Sequence, residues 1–404
     1  MNNCTYFLLA LLLMTVACRP RPEKNKPSAY HLAAPHAFRT ACPALCRDAQ
    51  GRLVLSWVQA DTAGNTEVYF ARYDSSEGRF GNPQGIPTSS GVMLHGENLP
   101  HLVFAAGGRA LVVFGTPNPT AGNPYTGAIH YSWSSDGGKN WMPARKLAAD
   151  TDGLYDQRYF DVSRLADNRM GLLWLRNSQP EGSTLCFAAS TGEGFFSRPT
   201  VIARTSCQCC RTVLLADSSG KLAVSWRNIF PGEIRDMAFS TSDDGGKTFS
   251  APERISEDNW HFKGCPHSGP AMVANRYGLH FTWFTMGQGG GIYYARRDTA
   301  GLFSKRQAVS AVPSARHPQM CVEDNGNILT VWDEQQSEHD QDGRRIGIQR
   351  RGPTGQWLMT GYITPPEGDA TFPQIELLNK SEALVAYTEQ MNNRQEVRYK
   401  IVRL

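Results

Sequence analysis

Short apolar runs ending in an aromatic residue recur along the chain, separated by polar turns. They are Leu53 to Trp57, Leu111 to Phe114, Gly171 to Trp174, Leu222 to Trp226, Leu279 to Trp283, Ile328 to Trp332 and Ala383 to Tyr387. Apolar runs this short, bounded by Gly, Asp and Asn, read as strands rather than helices. Successive aromatics stand 49 to 60 positions apart. A recurring interval of that length marks a repeat architecture in which each unit supplies one small sheet. Fourteen positions before Trp57, Phe114, Trp332 and Tyr387 stand Pro43, Pro100, Pro318 and Pro373. Proline cannot donate to a ladder, so these residues are expected to open the first strand of each unit. A polar turn such as Asp217-Ser218-Ser219-Gly220 leads into the aromatic strand. A third strand (Met237 to Thr241) and a Pro-led fourth (Pro252 to Ile255) complete the pattern.

Seven such units fit the chain. The seventh stops after its third strand at Leu404, and Ala29 to Ala34 reads as an orphan fourth strand at the other end. The N-terminal strand is therefore expected to close the last unit, which removes the exposed edges of an open array. The predicted fold is all-β, a seven-bladed β-propeller of four-stranded blades over residues 29–404, with six blades as the alternative.

Two turns share one pattern: Ser134-Ser135-Asp136-Gly137-Gly138-Lys139-Asn140-Trp141 and Ser242-Asp243-Asp244-Gly245-Gly246-Lys247-Thr248-Phe249. The Ser and Asp side chains suit bonding to nearby N–H groups, Gly supplies positive φ, and the aromatic covers the turn. The Ser-x-Asp-x-Gly-x-x-aromatic pattern (Ser134, Asp136, Gly138, Trp141; Ser242, Asp244, Gly246, Phe249) is the Asp-box, or BNR repeat. The chain thus resembles the sialidase-like β-propellers over roughly residues 29 to 404. That resemblance implies the propeller fold and a pocket at the channel mouth. Both boxes are turns between third and fourth strands, so they share a face with the Asp/Gly turns. The opposite face carries the longer loops and the segments leading into each first strand, and recognition is expected there.

Those lead-in segments hold the unusual chemistry: Phe38-Arg39-Thr40-Ala41-Cys42-Pro43, Cys207-Gln208-Cys209-Cys210-Arg211, Cys265-Pro266-His267 and Ser314-Ala315-Arg316-His317-Pro318. On the fourteen-residue ruler Cys207 falls level with Cys265 to within one position, and Cys209 likewise with His267, on neighbouring blades. Three readings stay open. Cys265 could pair with one of Cys207, Cys209 or Cys210 in a disulfide joining blades four and five. Cys207, Cys209, Cys210, Cys265, His267 and His317 could instead offer thiolate and imidazole ligands to copper or zinc. Or the thiols could be free with no special role. Cys46 and Cys321 share a register on two first strands and read as small core residues.

The resemblance also raises glycoside hydrolysis, since sialidases bind a carboxylate with three arginines and use a Tyr–Glu pair and an acid/base Asp. Arginines on the predicted open face are Arg39, Arg158, Arg211, Arg227, Arg235 and Arg316, and carboxylates are Glu97, Asp156, Glu233 and Asp236. Tyr155 and Tyr159 are the nucleophile positions to weigh, and Arg235 and Asp236 are adjacent enough to pair. No complete catalytic motif carries over. Two functions follow as expectations. One is recognition or hydrolysis of glycans, with an anionic sugar favoured. The other is a noncatalytic scaffold whose channel mouth is closed by disulfides or holds a metal.

Composition narrows this only a little. A net charge of +4 on 404 residues, with no basic run, gives no footprint for nucleic acid. Phe7 to Ala17 is an apolar run that ends at Cys18 and is followed by Arg19-Pro20-Arg21-Pro22. Residues 1–18 read as a lipoprotein-type signal with Cys18 as the lipidation site, and 19–28 as a flexible tether. The expected product is a monomer in the bacterial cell envelope, held to the membrane by its lipid alone.

Overall fold

The computed structural model describes residues 31–34, 39–147, 156–177, 182–192, 194–335, 343–391 and 394–404. Residues 1–18 with the expected lipidation site Cys18, the expected tether 19–28, and Tyr155 lie outside these. The described residues form seven antiparallel sheets of four strand positions each, in a closed ring. In blade one the outermost position is split into Arg79–Phe80 and Gln84–Ile86. Among the described residues, helix is confined to two short 3-10 turns, Pro87–Ser89 and Ala106–Gly108.

Ring closure follows the sequence reading. His31–Leu32 pairs antiparallel with Arg394–Arg403, setting His31 opposite Tyr399 and Leu32 opposite Arg398. The last blade is therefore built from both ends of the propeller sequence, with Ala370–Asn379 and Glu382–Met391 as its inner strands.

The recurring aromatics explain how the blades cohere. Trp57, Phe114, Trp174, Trp226, Trp283, Trp332 and Tyr387 each end up at most 1% exposed, on the second strand of their blade. Seven apolar clusters lie between blades, one at each junction. In every one the aromatic belongs to the later blade and packs against the blade before it. Trp226 of blade four sits with Leu173 and Phe187 of blade three, and Trp57 of blade one with Leu384 and Tyr399 of blade seven. The aromatic is thus a wedge between blades, and its large apolar area explains why it recurs.

Of the four prolines only Pro100 opens its strand, standing immediately before His101–Phe104. Pro43, Pro318 and Pro373 lie inside Arg39–Arg47, Arg316–Val322 and Ala370–Asn379, each at a break in the ladder register. The preceding residues Cys42, His317 and Phe372 have positive φ, as does Tyr159 at the matching break of blade three. A β-bulge takes the missing N–H out of the ladder, so proline is tolerated there.

The Asp-boxes are closed turns. Ser134 Oγ donates to Asp136 Oδ1 (2.8 Å), which also accepts from Asn140 N (2.9 Å); Gly138 N donates back to Ser134 Oγ (2.9 Å). The second box repeats this with Ser242, Asp244, Gly246 and Thr248. Both carboxylates are held well below their usual range, Asp136 chiefly by the Asn140 N–H and Asp244 chiefly by the Thr248 hydroxyl. Gly246 must be glycine twice over. Its φ is +88°, and a Cβ there would lie 2.0 Å from the Phe187 ring of blade three.

Candidate functional site at the channel mouth

The segment leading into blade two reaches across the mouth of the channel. Glu97, 2% exposed, pairs with Arg211 of blade four and accepts from Gly269 N of blade five at 2.8 Å. Arg211 also donates to Pro318 O of blade six. Asn98 Oδ1 accepts from Tyr159 N of blade three at 2.7 Å. A Cβ on Gly96 would stand 2.5 Å from the Phe372 ring of blade seven, so the close approach requires glycine. The His95 ring meets Tyr159 edge-on at 5.8 Å and lies 6.2 Å from His267. Its backbone bonds the Cys42 thiol of blade one, which burial nonetheless pushes up to about 12. All seven blades are tied to this one crossing segment or to its arginine partner.

The cysteines gather beside it. Donor atoms of Cys207, Cys209 and Cys210 lie within 4.8 Å of one another, as do those of Cys209, Cys265 and His267. Cys207 and Cys209 sulfurs are 3.7 Å apart, and Arg235 Nη1 donates to Cys207 Sγ at 3.2 Å. The eight described cysteines carry free thiols. Hydrogen bonds from Cys209 and Cys210, aided by Arg227 and Arg235, draw the Cys207 thiol down against burial. Hydrogen bonding with Cys207 and Cys210, ahead of burial, drives the Cys209 thiol up. Burial first, then Cys207, raises Cys210. His317 stands apart from both groups. Its Nδ1 is 2.6 Å from Asp333 Oδ2, and its ring stacks on Phe372 at 4.0 Å. Cys46 and Cys321 sit on first strands, half-buried and buried, in ladders with Val54 and Leu329.

The candidate arginines have other engagements. Arg39 donates to Gln395 Oε1 (3.0 and 2.8 Å), linking blades one and seven. Arg158 pairs with Asp156 beside the Tyr159 ring. Arg227, 1% exposed, donates to the carbonyls of Arg235, Ser268 and Phe284. Arg316 donates to the carbonyls of Pro313 and Ala315 and lies 3.5 Å from the Phe284 ring centre. Asp236 does not pair with its neighbour Arg235. It is fully buried, binds Arg254, and accepts from Asn259 N and Trp260 N. Among the described residues these arginines form no three-armed carboxylate clamp. Burial raises the Tyr159 hydroxyl, with Arg158 opposing, which is the reverse of what a tyrosine nucleophile needs.

One cleft of about 600 Å³ opens on this face, between blades three, four and five. It is lined by Gln208, Phe230, Pro231, Glu233, Arg235 and Lys263, among others. The loop carrying Phe230 is a small hairpin. Phe230 N donates to Ile234 O at 2.8 Å, and Gly232 turns the chain at φ +81°. Lys263 is exposed and Arg235 and Glu233 are half-buried, so two cations, one carboxylate and one aromatic border the opening. A second cleft of about 380 Å³ lies on the other face beside the first Asp-box, lined by Trp133, Arg109 and Arg145. Concavity is therefore not confined to the loop-bearing face.

Sequence reading missed His95 and Asn98 as partners at the axis, and Phe230 as a wall of the cleft. The ruler that located Pro100 could have pointed to His95-Gly96-Glu97-Asn98, which leads directly into it.

Residues 51–263 match the BNR repeat-like domain. No curated protein matches the chain. Among solved structures, the BP39L lectin from Burkholderia pseudomallei is similar at a TM-score of 0.62 and 11% identity, over 90% of this chain and 97% of that one. A polysaccharide lyase of the PL25 ulvan lyase family is similar at 0.56 and 11%, over 91% and 94%. A protein of unknown function from Dyadobacter fermentans is similar at 0.52 and 13%, over 91% and 95%. At such identities the likeness concerns the fold. The match of residues 51–263, with both Asp-boxes formed inside that span, puts the chain in the BNR repeat-like domain family.

Proposed function

We propose that this propeller recognises an anionic glycan, without hydrolysing it, in the cleft between blades three, four and five. The observation that carries the reading is the cleft's lining, with Arg235 and Lys263 beside Phe230 in about 600 Å³ of open space. A guanidinium and an ammonium suit a carboxylate or sulfate, and an aromatic face suits the apolar side of a sugar ring. A lectin and polysaccharide lyases share the architecture, one ulvan lyase being described as bound to -[GlcA(1-4)Rha3S]-. Recognition is favoured over sialidase-type hydrolysis because Arg39, Arg158, Arg211, Arg227 and Arg316 are engaged within the protein. Binding of sialyllactose, an oligogalacturonate and neutral lactose, measured by calorimetry at low and high salt, tests this. An acidic sugar should bind in preference to lactose, with salt-sensitive affinity. Phe230→Ala and Lys263→Met should each weaken it by roughly tenfold, the equivalent of about 1.4 kcal/mol. Equal affinity for lactose, or no loss in either variant, rules the reading out.

A further inference from the structure

The thiol cluster lies next to that cleft and meets it where Arg235 donates to Cys207 Sγ, but the glycan reading makes no use of the thiols themselves. Cys209, 4% exposed, belongs to both donor groups. Behind it lie Cys207 and Cys210, each 1% exposed; in front lie Cys265 and His267, both exposed. The arrangement therefore has a buried end and an open end, and an ion could enter from solvent through Cys265 and His267. The two halves come from different blades. Cys207, Cys209 and Cys210 lead into blade four, while Cys265 and His267 lead into blade five. His267 is held at φ +48°, a conformation that is uncommon outside glycine.

The donors select the ion. Four sulfurs and one imidazole, with no carboxylate in either group, exclude hard cations such as calcium and magnesium. Soft donors of this kind take copper(I) or zinc. Three ligands about 2.3 Å from one ion in a plane lie about 4 Å from each other, which the separations within Cys209, Cys265 and His267 allow. A filled-shell monovalent ion is satisfied by three soft ligands, whereas a closed zinc site calls for four. We infer that Cys209, Cys265 and His267 bind one copper(I) ion at the channel mouth, with Cys207 and Cys210 as reserve thiolates behind it. Binding displaces protons from the ligating thiols to solvent and changes no oxidation state, because the ion arrives as copper(I).

The test is an anaerobic titration of the reduced, full-length protein with copper(I), in competition with bathocuproine disulfonate, alongside zinc(II) added to a separate sample. About one copper should be retained per chain against the chelator. X-ray absorption should show mixed sulfur and nitrogen ligation. Cys265→Ser changes an exposed side chain and so tests the site without disturbing the core. It and His267→Ala should each weaken retention by roughly tenfold or more, as loss of a ligand should. Cys186→Ser, remote in blade three, should leave retention unchanged. Complete transfer of copper to the chelator overturns the assignment, as does retention of zinc but not copper. So does a Cys209–Cys265 disulfide that persists in peptide maps of the reduced protein. Sugar binding should be unaffected by Cys265→Ser, so the copper site and the glycan cleft can fail separately.

Discussion

At the residue scale, burial decides what a charged side chain does. Glu97 and Arg211 come from blades 114 positions apart in sequence and meet almost out of solvent. Removing one member leaves the other charged and buried, which costs about 3–5 kcal/mol, whereas removing both costs much less. Glu97→Gln and Arg211→Met should therefore each lower the urea midpoint strongly, and the double variant should recover much of the loss. A Glu97→Gln protein as stable as the parent would mean that the crossing segment is not a structural tie. The same principle explains what the sequence left illegible. Arg227 and Asp236 read as ligand groups because composition shows charge but not partners. Folding spends Arg227 on three carbonyls and gives Asp236 to Arg254 rather than to Arg235. The thiol group was more legible, because Cys209 and His267 fall within one position of each other on a ruler fixed by backbone geometry. His95 was not, since nothing in a lone His before Gly96 announces that it meets Tyr159 and His267.

At the scale of elements, the blades were legible because each repeats one physical demand. A wedge must fill the space between neighbouring sheets, and a large apolar side chain on the second strand does so. Trp174 and Trp332 announce this in sequences that otherwise differ. The first strand was read less well, because proline suits a bulge as well as a strand start, and the pattern alone does not separate them. The closing strand is the element most open to test. His31–Leu32 and the Ala33 N–H are paired with the last long strand, the latter at 3.1 Å to Val397 O. A few backbone hydrogen bonds at about 1 kcal/mol each set the expected scale of loss. A chain beginning at residue 39 should lose about 2–3 kcal/mol by thermal or urea unfolding. It should also self-associate more readily, since its Arg394–Arg403 edge is uncovered. Unchanged stability and a monomeric sedimentation profile would show that closure is not needed.

For the whole molecule, the proposed function divides labour between the ring's two faces, and that division can be measured. The Asp-boxes lock third-to-fourth-strand turns with side-chain bonds and rest on the neighbouring blade, as Phe249 does against Phe187 at 5.5 Å. Their carboxylates work within the protein, so losing one loosens a turn without touching a ligand. The Phe230 hairpin and Lys263 face the cleft on the opposite side, where a side chain can be lost at little structural cost because it is partly or fully exposed. Asp244→Ala should therefore lower the melting temperature while leaving the affinity for an acidic sugar unchanged. Lys263→Met should do the reverse. Asp244 also sets a direction with pH. Its folded-state pKa is depressed, so its contribution is present above the ordinary carboxylate range and is lost as the pH falls toward the folded value. The stability gap between parent and Asp244→Ala should accordingly narrow in acid, while the gap between parent and Lys263→Met stays near zero at every pH. Melting curves and sugar titrations on both variants, at neutral and acid pH, decide it. If Asp244→Ala abolished binding at full stability, recognition would have to be sought on the Asp-box face, where the cleft beside Trp133 would be the place to look.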